Sequence, residues 1–254
     1  MQIHHLRNAT LVIEANGEFI LVDPMLGPKG SGLPFALVRF SPKKNPLVNL
    51  PANSSSILEK VTLCLITHLH PDHLDKDGEQ FLRSGNIPVI CSVKDEKTLK
   101  AKGLNVLKSL DYWKEESFSG GKITGIPAIH GYGFVAGLMG NVMGFYLKLN
   151  NEKSIYISSD TIYTEHVDKV LKEFRPEISV LACGTAQLDI GQPLLMKMDD
   201  IIRFIQTAPG KVLANHMEAL NHCPTTRQQL QLEVQKHLLQ SKTDIPVDGQ
   251  SISY

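Results

Sequence analysis

The segment Thr67-His68-Leu69-His70-Pro71-Asp72-His73-Leu74, at the end of the apolar run Val61 to Thr67, constrains this chain more than any other feature. In an extended strand residues i and i+2 point to the same side, so His68 and His70 can close on one ion from one face. Pro71 breaks the strand, and the turn after it can aim Asp72 and His73 at a second ion beside the first. With 10 His and 13 Asp among 254 residues, an HxHxDH pattern arises by chance somewhere in the chain with odds on the order of one in a thousand. A His-rich surface turn is therefore a weak alternative. Three single candidates also follow strand-like runs: His130 after Pro127-Ala128-Ile129, Asp160 after Ser158-Ser159, and His216 after Leu213-Ala214-Asn215. Any one alone reads as a hydrogen-bonded strand-end residue. Together they supply the donors that the motif lacks.

Lys and Arg number 26, as do Asp and Glu, so the formal charge is zero and the basic excess of a nucleic-acid binder is missing. Ordinary glycine and proline contents, 19 and 14, exclude collagen-like and low-complexity chains. A chain of this length buries roughly 70–75% of its unfolded surface, so it needs no metal merely to fold. Cys64, Cys91, Cys183 and Cys223 form no CxxC pair, and the first three sit in apolar runs, which fits buried thiols of a reducing compartment. The N-terminus has no signal-peptide pattern, and no apolar stretch approaches the ~20 residues that span a bilayer. The expectation is a cytoplasmic protein that works on small molecules, away from membranes, with self-association left open.

Strands are expected at Gln2 to Leu6, Thr10 to Ala15 and Glu18 to Val22, the last two joined by the Asn16-Gly17 hairpin signal. Gly27 to Ser56 holds five prolines and no sustained period, as a binding loop, a lid or a disordered segment would. It carries Lys29, Arg39, Lys43 and Lys44 and no acidic residue, so over a site it would favour an anionic substrate. Beyond the motif, short strands alternate with helices. Helices over Glu165 to Phe174 and Met198 to Thr207 repeat apolar residues at i, i+3, i+4 and i+7. The last helix starts at Thr225 or Thr226, with Leu230, Val234 and Leu238 on one face. No linker separates two cores, and one mixed α/β domain over 1–254 is the simplest organisation.

In its motif order, HxHxDH, then His, Asp and His, each at a strand end, the chain resembles the metallo-β-lactamase superfamily. The Leu21-Val22-Asp23-Pro24 opening and the Ser159-Asp160-Thr161 box bring it nearest to the stand-alone L-ascorbate-6-phosphate lactonase-like group. The resemblance implies a four-layer αβ/βα sandwich. It also implies two divalent ions, with zinc first and manganese or iron as alternatives. His68, His70 and His130 would bind one ion, Asp72, His73 and His216 the other, and Asp160 would bridge. The implied activity is hydrolysis of a small ester, lactone or phosphoester by a metal-bound hydroxide. Asp72 and His222 are the residues assigned direct catalytic parts, His222 as a substrate-side proton donor beyond the ligand set. Asp23 is a candidate acceptor that orients a ligand imidazole, or an ordinary turn cap. No Cys stands at Asp160, unlike the commonest zinc β-lactamases, and no flavodoxin domain is appended, unlike the flavodiiron enzymes. An iron-dependent oxidoreductase of the persulfide dioxygenase kind and a non-catalytic metal-binding or ligand-binding module are the competing readings.

Overall fold

A computed structural model describes residues 1–254. The chain opens with β1 (Gln2–Arg7), β2 (Thr10–Ala15) and β3 (Glu18–Val22), followed by α1 (Ser54–Leu58), β4 (Leu63–Leu65), α2 (Lys76–Ser84), β5 (Val89–Ser92), α3 (Glu96–Ala101) and β6 (Val106–Leu110). The second half holds β7 (Glu115–Phe118), β8 (Gly121–Pro127), β9 (Met143–Leu149), β10 (Ile155–Ile157), α4 (Glu165–Lys169), β11 (Ile178–Ala182), α5 (Met198–Thr207), β12 (Lys211–Asn215), α6 (Arg227–Lys236), β13 (Thr243–Asp244) and β14 (Ser251–Ser253). Two seven-stranded mixed sheets result, ordered β14-β1-β2-β3-β4-β5-β6 and β13-β12-β11-β10-β9-β8-β7.

Alternation within strands dictates the layers. In β4, Leu63 and Leu65 join Ile13, Ile20, Phe145, Leu147, Ile178 and Leu213 in the core between the sheets, while Cys64 faces the other way, toward Leu82 of α2 and Leu99 of α3. On the outer face of the second sheet, Tyr156, Leu181 and Val212 pack against Val167, Ile201, Ile205 and Leu230 from α4, α5 and α6. Helices cover the outer face of each sheet, and the expected αβ/βα sandwich is the observed one.

Local chemistry explains the joints. Asn16 and Gly17 both take positive φ, 54° and 81°, the pair that a two-residue type I′ turn requires. Asp75 caps α2 by accepting the Gly78 N–H at 2.7 Å, and its carboxylate also takes the N–H groups of Leu26 and Gly27. A Cβ on Gly78 would lie 1.9 Å from the Pro24 carbonyl oxygen, so only glycine lets the helix start so close to the β3 exit. Thr226 caps α6 with a capping box closed by Gln229.

Several expectations shift. The run Val61 to Thr67 is paired only over its central three residues. The helix at Glu165 runs to Phe174 as expected but loosens into a π turn from Val170. Leu238 lies beyond the end of α6 and is 83% exposed, so it is not on the buried face with Leu230 and Val234. Within the Gly27 to Ser56 stretch, Ser54 opens α1.

Candidate metal centre

Both sheets deliver their site residues at the C-terminal ends of strands. His68 to His73 follow β4, His130 follows β8, Asp160 follows β10 and His216 follows β12. The positive φ of Ser159 and His216, 57° and 59°, bends the chain sharply at two of these exits, a strain that persists only where surrounding contacts hold it. One hydrogen bond, from the His216 N–H to the Asn8 carbonyl at 2.9 Å, fixes the last exit against the β1–β2 turn.

The donors assemble as two groups, His68 with His70 and His130, and Asp72 with His73, Asp160 and His216. Within each group the facing atoms lie inside 4.8 Å of one another. Asp160 touches both, since its Oδ2 is 3.5 Å from His130 Nε2 and 3.4 Å from His216 Nε2. All seven expected ligands therefore converge, six of them buried and His70 half-buried. His222 is buried but joins neither group; its ring meets Phe35 edge-on at 4.9 Å.

Behind the donors stands a layer of orienting contacts. Asp23 accepts the Nδ1–H of His73 at 2.8 Å, the Thr67 hydroxyl at 2.7 Å and the Thr67 N–H at 2.8 Å. The Thr67 oxygen, its proton committed to Asp23, is 3.0 Å from His68 Nδ1 and accepts from it. His130 donates Nδ1–H to the Leu194 carbonyl at 3.0 Å. One carboxylate thus aligns two imidazoles, the orienting function set beside turn capping for Asp23. Thr67 and Leu194 were not legible as partners, because a hydroxyl and a carbonyl carry no sequence signature for this work.

Electrostatics divides the groups. Burial pushes the imidazoles of the first group down, His68 well below its usual range and His130 to about 4, so their lone pairs are free at neutral pH. In the second group burial opposes charge, yet the mutual attraction of carboxylates and imidazoles wins. His73 is pushed up to about 10, His216 rises, and Asp72 and Asp160 are held well below the carboxylate range.

These contacts fit divalent cations. With Nδ1 of His73 committed to Asp23, its Nε2 faces His216 Nε2 at 3.2 Å, and two lone pairs so placed repel unless a proton or a cation lies by them. His68 Nε2 and Asp160 Oδ1 are buried with no hydrogen-bond partner, a costly state for polar atoms that a cation relieves. The set is imidazole and carboxylate without thiolate, which suits zinc, manganese or iron.

A cavity of about 590 Å³ opens beside Asp72. Leu33, Phe35, Leu69, Leu74 and Leu220 form its apolar wall, and Asp77, Glu79, Lys76 and Lys102 stand in its polar part. None of Lys29, Arg39, Lys43 and Lys44 lines it. Arg39 instead donates to Gln187 Oε1 at 2.8 Å, and the Asp189 carboxylate accepts the N–H groups of Leu37, Val38 and Arg39.

Fold and donor set define a metallo-β-lactamase chain, and residues 18–217 match the beta-lactamase superfamily domain. Within that superfamily the chain belongs to the UPF0173 family of metal-dependent hydrolases, being 32% identical to the UPF0173 protein YddR of Bacillus subtilis over the full length of both. A UPF0173 metal-dependent hydrolase of Flavobacterium johnsoniae is 24% identical over 87% of this chain and 91% of its own. Among solved structures, an isothiocyanate hydrolase from Delia radicum gut bacteria superposes with a TM-score of 0.90 at 31% identity, covering 100% of this chain and 99% of its own. A possible metal-dependent hydrolase from Veillonella parvula does so with a TM-score of 0.90 at 26% identity and the same coverage. No helix is long and apolar enough to cross a membrane.

Proposed function

We propose that this chain is a dinuclear hydrolase of small uncharged electrophiles with an apolar body, isothiocyanates foremost. The observation that carries this reading is the cavity lined by Asp72 of the second donor group, with an apolar wall of Leu33, Phe35, Leu69, Leu74 and Leu220. None of the loop's basic residues lines it, and Lys76 and Lys102 stand there among Asp75, Asp77 and Glu79, a lining without positive excess that favours an uncharged substrate over the anionic one expected from the loop's charge. The full-length similarity to an isothiocyanate hydrolase supports the same class. Small esters and lactones offer a comparable trigonal carbon and fall within the chemistry of the site.

When bound, two divalent ions supply Lewis acidity and a water acidic enough to ionise near neutral pH. His68, His70 and His130 would hold one, Asp72, His73 and His216 the other, with Asp160 reaching both. Phe35 and Leu69 exclude bulk water and hold the apolar body. The Asp72 carboxylate, kept ionised by His73 and His216, lines the cavity and is placed to take a proton from the attacking water. To His222, buried and edge-on to Phe35 of the cavity wall, we assign the protonation of the departing nitrogen. The overall reaction adds one water across the C=N bond of R–N=C=S to give a thiocarbamic acid. Its C–N bond then breaks, the hydroxyl proton passing to nitrogen, to leave an amine and carbonyl sulfide.

The test is to incubate zinc-loaded protein with benzyl isothiocyanate and measure amine and carbonyl sulfide. Equal release of both, abolished by chelation, is expected. His222→Ala should lower kcat by roughly 100-fold or more with two ions still bound. Turnover of sugar-phosphate lactones with none of the isothiocyanate would return the substrate to the anionic class.

A further inference from the structure

The ligand imidazoles His73, His68 and His130 each hand Nδ1 to an oxygen: a carboxylate, a hydroxyl and a carbonyl. His216 differs from these three. Its Nε2 faces Asp72 Oδ2 at 3.3 Å and Asp160 Oδ2 at 3.4 Å, while its Nδ1 meets the sulfur of Cys223 at 3.6 Å. The same sulfur lies 3.9 Å from Nδ1 of His222. Both partners of the contact are buried, so water does not compete for it.

A second feature shows that the fold makes room for this thiol. Gly184, just past the end of β11, packs directly on the pair. A Cβ there would fall 3.1 Å from Cys223 Sγ, 3.0 Å from Cys223 Cβ and 2.2 Å from the His216 carbonyl oxygen. Any side chain at 184 would displace the sulfur or the backbone that carries His216. The chain between the two residues, Met217 to His222, turns back on itself, with Glu218 at φ 61°, and brings Cys223 under the ring.

We infer that Cys223 is a positioning residue for the second donor group: its sulfur accepts the Nδ1–H of His216 and holds the ring so that Nε2 faces Asp72 and Asp160. A ligand imidazole is aimed, and its tautomer chosen, by what its other nitrogen bonds to. Sulfur is a weak acceptor and reaches the ring at 3.6 Å, farther than the oxygens that hold His73, His68 and His130. Through His222 it also ties the donor group to the cavity wall. The inference rests on the two-ion reading given above.

The experiment is competition for zinc against a chromophoric chelator, with the wild-type chain, Cys223→Ala and Cys223→Val, together with the absorption spectrum of the cobalt-loaded wild type. Loss of the acceptor should weaken the second ion about 10- to 100-fold and leave the first unchanged, and cobalt should show no sulfur-to-metal charge-transfer band. Val fills the space of the thiol, so it carries the test if the Ala chain does not fold. Equal affinity for both ions with and without the sulfur overturns the inference alone, and a charge-transfer band replaces positioning by direct ligation. A wild-type chain that takes up one ion overturns the two-ion reading and this inference with it.

Discussion

His70 and Asp160 bear on the site in different ways, and both are needed. His70 is one of three imidazoles of the first group, whereas Asp160 reaches nitrogen donors of both. Replacing either with Ala should cut turnover by more than about 100-fold, with an unchanged far-ultraviolet circular dichroism spectrum; activity within tenfold of wild type would speak against their roles. Another histidine reports on stability. Burial pushes His5 below its usual 6.5, against the raising effect of Asp248 at 3.3 Å. Since the folded value lies below the unfolded one, His5 contributes stability in full above about pH 6.5 and loses it as pH falls toward the folded value. Urea melts of His5→Asn should show a shallower loss of stability than wild type between about pH 7 and 5, and parallel losses would deny the effect. The seven donors were legible because few residue types bind divalent ions and strand-end spacing orders them. Cys223 was not, since a buried cysteine resembles any small apolar residue in sequence.

Elements matter here through what they hold in place. Asn221, between His216 and His222, bolts the proline-rich loop to the β12 exit. Its side chain accepts the Phe35 N–H at 2.9 Å and donates to the Ala36 carbonyl at 2.7 Å and the Ser41 carbonyl at 3.1 Å, and its N–H donates to Asn45 at 2.9 Å. Arg7, fully buried, holds the loop's root through the carbonyls of Met25, Gly27 and Val48. Asn221→Ala should therefore free Phe35 from the cavity wall and raise KM for apolar substrates by roughly tenfold, about 1.4 kcal/mol of binding, while kcat and bound metal stay close to wild type. A matching fall in kcat with KM unchanged would place Asn221 in the chemistry. Regular periodicity made α5 legible to the residue. Strand β7, Glu-Glu-Ser-Phe at a sheet edge and largely exposed, has no apolar alternation to read. The pairing of β14 with β1 joins residues about 250 apart, a contact that no local pattern encodes.

At the scale of the whole molecule, the central core between the sheets and the two helix-covered faces are built from apolar residues that owe nothing to metal. The metal-free chain should fold, and each ion held at about 1,000 times its dissociation constant should add about 4 kcal/mol, seen as a rise in Tm on loading that chelation reverses. Strand-helix alternation made one mixed α/β domain legible, and the sandwich itself was expected only through the family resemblance that the order of donors carries. The cavity was not, because its wall comes from the proline-rich loop, whose path depends on Asn221 and Arg7, far away in sequence. The central claim is that His68, His70 and His130 hold one ion while Asp72, His73 and His216 hold another, with Asp160 reaching both. Its most direct test is the metal content of zinc-loaded, exhaustively dialysed protein by inductively coupled plasma mass spectrometry: two ions per chain are predicted, and a content that settles at one or none would contradict it.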